Sequence, residues 1–390
     1  MHRILTLNKI ASKGLDLFSR DQYEVASEIG HPDAIIVRSQ DMHSLTIPET
    51  VKAIARAGAG TNNIPVETCS QRGIVVFNTP GANANSVKEL TLTGMFLASR
   101  KIYRGIQWVK SLAGKGDEIP ALVEKGKKEF TGNEIRGKKL GVIGLGAIGV
   151  DVANDAERLG MIVSGYDPFI SVEAAWGLSP SIKKAETLEA LIAESDYITV
   201  HIPLNDRTRG ILNRERFSRM KKGVKVLNFS RGGLVNNADM LEAIQAGIVD
   251  RYVTDFPDDT LLQNDNVIAI PHLGASTPEA EENCAVMAAR QLITFLETGN
   301  IMNSVNFPDC SMPLTTDTRI IIANRNIPNM VGQITTILAE ESMNISEMIN
   351  RHKDGYAYNI IDVESPGTDA LLTKLKSIEG VVMARIIDKN

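Results

Sequence analysis

Arg231, His272 and the aspartates at 255, 258 and 259 are the residues whose types together could bind a carboxylate and move a proton. An arginine fork grips a carboxylate and polarises the carbonyl beside it. A histidine gives or takes a hydroxyl proton near neutral pH, and a carboxylate next to it holds one imidazole tautomer. These residues fall in three short segments: Asn228-Phe229-Ser230-Arg231-Gly232-Gly233, Asp255-Phe256-Pro257-Asp258-Asp259, and Pro271-His272-Leu273-Gly274-Ala275-Ser276-Thr277. Each follows an apolar run that reads as a buried strand. In an open α/β sheet such strand ends share one crevice, which would bring Arg231, an aspartate and His272 to one ligand.

The partner for that chemistry is written upstream. The apolar run Leu140 to Ile143 leads into Gly144-Leu145-Gly146-Ala147-Ile148-Gly149, which opens a helix, and a second strand from Met161 to Tyr166 ends on Asp167, 18 residues beyond Gly149. Gly144 suits the tight turn, Gly146 the approach of a pyrophosphate, and Gly149 close helix-strand packing; the helix start supplies unpaired N–H groups. Asp167 is placed to take ribose hydroxyls. Its charge opposes a 2′-phosphate and Pro168-Phe169-Ile170 brings no arginine, so NAD is expected rather than NADP. His201, closing the Tyr197 strand, is expected to line the adenine side.

The remaining chain must position these groups. Its 390 residues exceed one ordinary domain at ~150 residues each. The composition, 43% hydrophobic and 23% charged, is that of a globular protein. A net charge of −5, with no basic stripe interleaved with aromatics, argues against nucleic acid as a partner. Cys69, Cys284 and Cys310 are too few and scattered for a disulfide framework or a zinc site, and no metal is expected. The start MHRILTLNKIAS reads as a first strand rather than a signal peptide, and no apolar run approaches the ~18 residues of a membrane span, so a cytoplasmic location is expected.

Up to about residue 85, strand candidates at 4–7, 34–38, 53–57 and 73–77 alternate with helices, the pattern of a flavodoxin-like open α/β layer. Ser86 and Glu89 look like a capping box opening a helix to about Ser111, apolar on more than one face as at a domain junction or subunit interface. Residues 140–275 read as a doubly wound sheet of six parallel strands. A long helix follows from Thr277, then a segment rich in Pro and Thr, then a βαββαβ module of about 70 residues. The expected organisation is a discontinuous substrate lobe at 1–90 and 276–302, a dinucleotide domain at 91–275, a linker at 303–317, and a ferredoxin-like domain at 318–390.

The succession GLGAIG, Asp167, HIPL, NFSRGG, DFP and PHLGAST resembles the D-2-hydroxyacid dehydrogenase family, and the C-terminal module resembles an ACT domain; together they cover nearly the whole chain. The resemblance implies an NAD domain inserted in a split catalytic lobe, oxidation of a phosphorylated 2-hydroxy acid, assembly as a homodimer or homotetramer, and a possible L-serine effector at the ACT-type module. It implies substrate roles for Arg38, Ser39, Asn85, Arg231 and His272. Cofactor contacts are implied for Gly144, Gly146, Ala147, Ile148, Gly149, Asp167, His201, Phe229, Ser230, Arg231, Asp255, His272 and Gly274, with Asp255 at the nicotinamide end. Effector contacts are implied for Asn324, Asn326 and Asn344. The histidine's carboxylate partner is usually a glutamate after a segment one residue longer; Asp259 is the best match and Asp258 the second. Two other readings use the same residues: a glyoxylate or hydroxypyruvate reductase, and an NAD-sensing regulatory protein.

Overall fold

A computed structural model describes residues 1–388, and the chain divides into two compact units, residues 1–83 with 278–390 and residues 84–277. The first unit begins with a wholly parallel five-stranded sheet in the spatial order Tyr23–Ala26, His2–Leu7, Ala34–Val37, Ala53–Arg56, Val75–Phe77. The strands Ala34–Val37, Ala53–Arg56 and Val75–Phe77 are almost entirely buried and rich in Ala, Ile and Val, as a parallel sheet covered on both faces requires, while in His2–Leu7 only Ile4 is buried. Tyr23–Ala26 was not expected from sequence. It is an edge strand with only Tyr23 buried, so it lacks the apolar run that reveals the others. The helix Pro278–Thr298 covers one face through Ala285, Ala288, Ala289 and Leu292.

The C-terminal module is the expected βαββαβ unit, an antiparallel sheet in the order Ile345–Lys353, Tyr356–Val363, Thr318–Arg325, Val381–Asp388. One face, with Ile320, Ile322, Ile361 and Val363, packs on the helices Met330–Glu340 and Asp369–Lys376. The other face, with Ile321, Ala323, Tyr358 and Ile360, shares a core with Phe77, Phe295 and Phe307 of the N-terminal lobe. The stretch expected as a linker is therefore packed. Phe307, Cys310 and Met312 are buried in it, and Ile301 pairs with Cys310.

The second unit holds seven parallel strands, Val267–Ala269, Val249–Thr254, Val224–Asn228, Tyr197–Val200, Lys139–Ile143, Ile162–Tyr166 and Lys183–Lys184. The seventh, absent from the expectation of six, is two exposed lysines on the edge beyond Ile162–Tyr166. Helix Ala84–Ser99 begins two residues before Ser86, so Ser86 is no cap, and Glu89 instead accepts from Asn85 Nδ2 at 2.9 Å. The helix expected to run to Ser111 breaks after Ser99, because Asn133 N–H takes the Ser99 carbonyl at 3.0 Å and interrupts the helical ladder; Ile102–Ser111 is a separate helix. Ala84–Ser99 belongs whole to this unit, so the divide falls at 83/84 and 277/278 rather than inside the helix at 90.

Candidate functional site

The three segments that carry Arg231, Asp255 and His272 leave adjacent strands at one level, since Asn228 pairs in register with Thr254 and Thr254 with Ala269. Asn228, fully buried, folds the first of them. Its Nδ2 donates to the Arg231 carbonyl at 2.8 Å and its Oδ1 accepts from Ser230 N–H at 3.1 Å, while Ser230 Oγ donates to the Val200 carbonyl at 2.6 Å. Arg231 is exposed, with Nη1 on the Ser230 carbonyl at 2.6 Å. The positioning role of Asn228 was not read from sequence, where it looked like the end of an apolar strand. Phe229 is buried with its ring against Gly94, so any cofactor contact there falls to its backbone.

His272 stands in the exposed loop after Val267–Ala269, its ring edge-on to Phe256 with centroids 4.8 Å apart and planes at 89°. The nearest carboxylate is Asp255, whose Oδ2 lies 4.0 Å from His272 Nδ1. The Asp255 side chain is 1% exposed, and neither oxygen accepts a hydrogen bond from another of the described residues. Burial pushes its carboxyl above the usual range, against the opposing charges of His272 and Arg231.

Asp259, the best match from the resemblance, bonds a nearby side chain in this structure. Its Oδ2 accepts from Gln263 Nε2 at 3.0 Å, one turn along the short helix Asp259–Leu262. Asp258 is also occupied, as N-cap of that helix. It accepts from Thr260 Oγ1 at 2.7 Å, Leu261 N–H at 2.9 Å and Asn237 Nδ2 at 2.6 Å, and these bonds hold its carboxyl below the usual range. A helix start competes for both aspartates, and sequence spacing alone did not show it.

The glycine loop has the shape expected of it. Gly144 sits at φ +92°, in the left-handed region, and a Cβ on Gly149 would come within 1.9 Å of the Gly144 carbonyl. Gly146 precedes helix Ala147–Arg158, which no side chain caps, and a Cβ there would meet nothing within 4 Å. Open backbone before an uncapped helix start fits a pyrophosphate held by N–H groups such as those of Ala147 and Ile148. Asp167 is fixed by Leu145 N–H on Oδ2 and Phe169 N–H on Oδ1, each at 2.8 Å, leaving further lone pairs for hydroxyl donors. His201 bonds Thr199 Oγ1 through Nε2 at 2.9 Å while its buried Nδ1 has no partner among the described residues; burial pushes its pKa down to about 4. Gly274 is buried, and a Cβ on it would stand 3.2 Å from Val87.

In the first unit, Arg38 follows strand Ala34–Val37 and pairs through Nη1 with Glu281 at 2.8 Å. Asn8, at φ +69°, shapes the next turn by accepting from Ser39 and Gln40 N–H groups. Arg56, missed from sequence, ends the adjacent strand in register with Val37 and donates from Nε to the Arg38 carbonyl at 3.1 Å. An arginine closing an apolar strand was the available signal for both. In the C-terminal module Asn324 is buried, with Nδ2 on the Arg325 carbonyl at 2.6 Å and Oδ1 accepting from Asn359 at 2.8 Å, so its side chain serves the sheet; Asn326 and Asn344 are exposed. Among the described residues no helix is long and apolar enough to cross a membrane.

Residues 92–274 match the family model of the D-isomer specific 2-hydroxyacid dehydrogenase NAD binding domain, so the cofactor of this unit is NAD. The chain is 30% identical to D-3-phosphoglycerate dehydrogenase of Haemophilus influenzae, over 98% of this chain and 93% of that protein. It is 36% identical to the enzyme of that name from Archaeoglobus fulgidus over 78% of this chain, but spans only 59% of that relative's length. The crystal structure of NAD+-bound 3-phosphoglycerate dehydrogenase of Entamoeba histolytica superposes with a TM-score of 0.60 at 27% identity, covering 78% of this chain and 98% of that one. A family-specific cofactor domain and a relative aligned almost end to end give one conclusion: the chain belongs to the D-isomer specific 2-hydroxyacid dehydrogenase family.

Proposed function

We propose that the protein is an NAD-dependent D-3-phosphoglycerate dehydrogenase that oxidises 3-phosphoglycerate to 3-phosphohydroxypyruvate, the entry step of phosphorylated L-serine synthesis. The observation that carries the reading is the exposed Arg231 fork and His272 leaving the same end of two strands of an NAD domain that flank the strand Val249–Thr254. Bound NAD+ supplies the hydride acceptor. Arg231 holds the substrate carboxylate and the C2 oxygen in a charge-assisted fork, and stabilises the carbonyl dipole that forms at C2. His272 takes the C2 hydroxyl proton as C2–H leaves with its electron pair, and returns a proton in the reverse direction. Asn228 sets the loop from which Arg231 works.

The phosphorylated substrate is supported by the relatives named D-3-phosphoglycerate dehydrogenase, and Arg38, Arg56 and Ser39, at and just after the ends of two adjacent strands, are groups suited to a phosphate. Asn326 and Asn344 are the effector contacts we retain for L-serine; Asn324 is given up, its side chain being spent within the sheet. The apolar residues Ile102, Ile106 and Val109 on one exposed helix support assembly as a homodimer or homotetramer, and three buried free thiols support a cytoplasmic location.

The test is NAD reduction by the purified protein with 3-phosphoglycerate against glycerate and other 2-hydroxy acids, a coupled step drawing the equilibrium and L-serine added in parallel. Preference for the phosphorylated acid is expected. Activity confined to glyoxylate or hydroxypyruvate would keep the chemistry and overturn the pathway.

A further inference from the structure

Glu281 stands in the first turn of the helix Pro278–Thr298, where the helix dipole favours a carboxylate. The acid next to it, Glu282, pairs with Lys13 Nζ at 3.1 Å. Glu281 crosses instead to the turn that carries Arg38 and Ser39, and its Oε1 lies 2.8 Å from Arg38 Nη1. Both side chains are partly open to water, Arg38 at 28% and Glu281 at 46%, so the pair is weak enough for a stronger anion to displace. The buried Cys284 thiol, three residues on, feels the charges of Arg38, Arg56 and Glu281 together, as expected where Arg56 Nε also reaches the Arg38 carbonyl. Burial raises the Cys284 pKa, so the thiol adds no charge at neutral pH. Two cations therefore face one carboxylate.

A phosphate that reaches Arg38 has to take the guanidinium from Glu281. It succeeds because a dianion makes two charge-assisted bonds to the fork, which a half-exposed carboxylate does not match. We propose that Glu281 is the affinity-setting residue of the phosphate subsite, a tethered carboxylate that competes with the substrate's phosphate for Arg38. The proposal rests on the reading of Arg38 as a phosphate contact and deepens it. Carried by the same fold, Glu281 is at high effective concentration beside Arg38 however dilute the free anions are. Every anion bound there is weakened, and the phosphorylated product leaves more readily. A hydroxy acid with an uncharged end does not enter this competition. A carboxylate that only held Arg38 in its working rotamer would act with the opposite sign, since its removal would free the arginine and weaken anion binding.

The test compares wild type, Glu281→Gln, Arg38→Gln and the double variant as full-length protein, with inorganic phosphate as the probe. NADH is kept saturating so that phosphate does not enter at the glycine loop. The first readout is the phosphate dissociation constant by calorimetry; the second is the ratio of KM for glycerate to KM for 3-phosphoglycerate. Glu281→Gln is expected to bind phosphate about 3–10-fold more tightly and to raise the KM ratio by a similar factor, from the lost competition and the lost repulsion of a nearby charge. The gain should vanish in the Arg38→Gln background, which ties it to this pair rather than to net charge. Unchanged or weaker phosphate binding in Glu281→Gln, or an equal gain with and without Arg38, overturns the proposal. Because phosphate binding is read without turnover, a wild type inactive on 3-phosphoglycerate whose phosphate affinity still rises in Glu281→Gln through Arg38 removes the substrate reading and sustains this one.

Discussion

Arg319 and Asp362 form a bidentate ion pair with both side chains fully excluded from water, Nε to Oδ1 at 2.6 Å and Nη2 to Oδ2 at 2.8 Å. The remaining guanidinium donors reach the carbonyls of Thr298, Met312 and Pro313, at the end of helix Pro278–Thr298 and in the segment after it. One arginine thus ties the ACT-like sheet to the helix that covers the N-terminal sheet. Asp362→Ala strands a buried cation and is expected to destabilise the protein by about 3–5 kcal/mol. Urea unfolding checks this; a midpoint unchanged from wild type would mean the pair is not the tie.

Arg231 is expected to be irreplaceable by lysine. Arg231→Ala should lower kcat/KM for the hydroxy acid by on the order of 1,000-fold, from two lost charge-assisted bonds. Arg231→Lys should recover little, because a point charge cannot make the fork. Steady-state kinetics with NAD saturating would show it, and near-wild-type turnover in the lysine variant would remove the fork from the mechanism.

Arg56 should discriminate between substrates. Arg56→Gln is expected to raise KM for 3-phosphoglycerate while leaving the kinetics on unphosphorylated 2-hydroxy acids close to wild type. An equal effect on both classes would make Arg56 a support for the Arg38 turn, to whose carbonyl it donates, and nothing more.

Asp167 holds the glycine loop at Leu145 N–H and presents negative charge where a 2′-phosphate would sit. Asp167→Ala should weaken NAD use and shift the NAD to NADP ratio of kcat/KM toward NADP. A ratio that does not move would detach cofactor choice from this residue.

Burial of His201 gives stability a pH dependence of known sign. Its pKa is about 4 in the folded protein and near 6.5 unfolded, so between those values the unfolded chain binds the extra proton and stability falls as pH falls. The loss is at most about 3 kcal/mol, and less because water partly reaches the ring. His201→Gln should flatten this component between pH 6.5 and 4, measured as the difference from wild type in unfolding free energy. Parallel curves for the two proteins would show that the ring is solvated in the folded state.

The order of strands, glycine loop and second-strand acid was legible in the amino-acid sequence because each depends on local chemistry: apolar runs for buried parallel strands, glycine where φ is positive or backbone approaches closely, an acid at a strand end. The same logic placed Arg231 and His272 at strand ends on one side of the sheet and recovered the βαββαβ module. What sequence could not decide was competition. Asp255, Asp258 and Asp259 are chemically alike and nearly adjacent, and only the fold shows that a helix start consumes one, Gln263 engages another, and the strand end buries the third beside His272. Asn324 likewise reads as a ligand contact from sequence, and only the fold shows its pairing with Asn359 across the sheet. Residues 303–317 look like a linker by composition, and become core only because two sheets distant in sequence close over Phe307. Side-chain roles of this kind are settled by which partner arrives first within hydrogen-bond reach, and that is a property of tertiary packing.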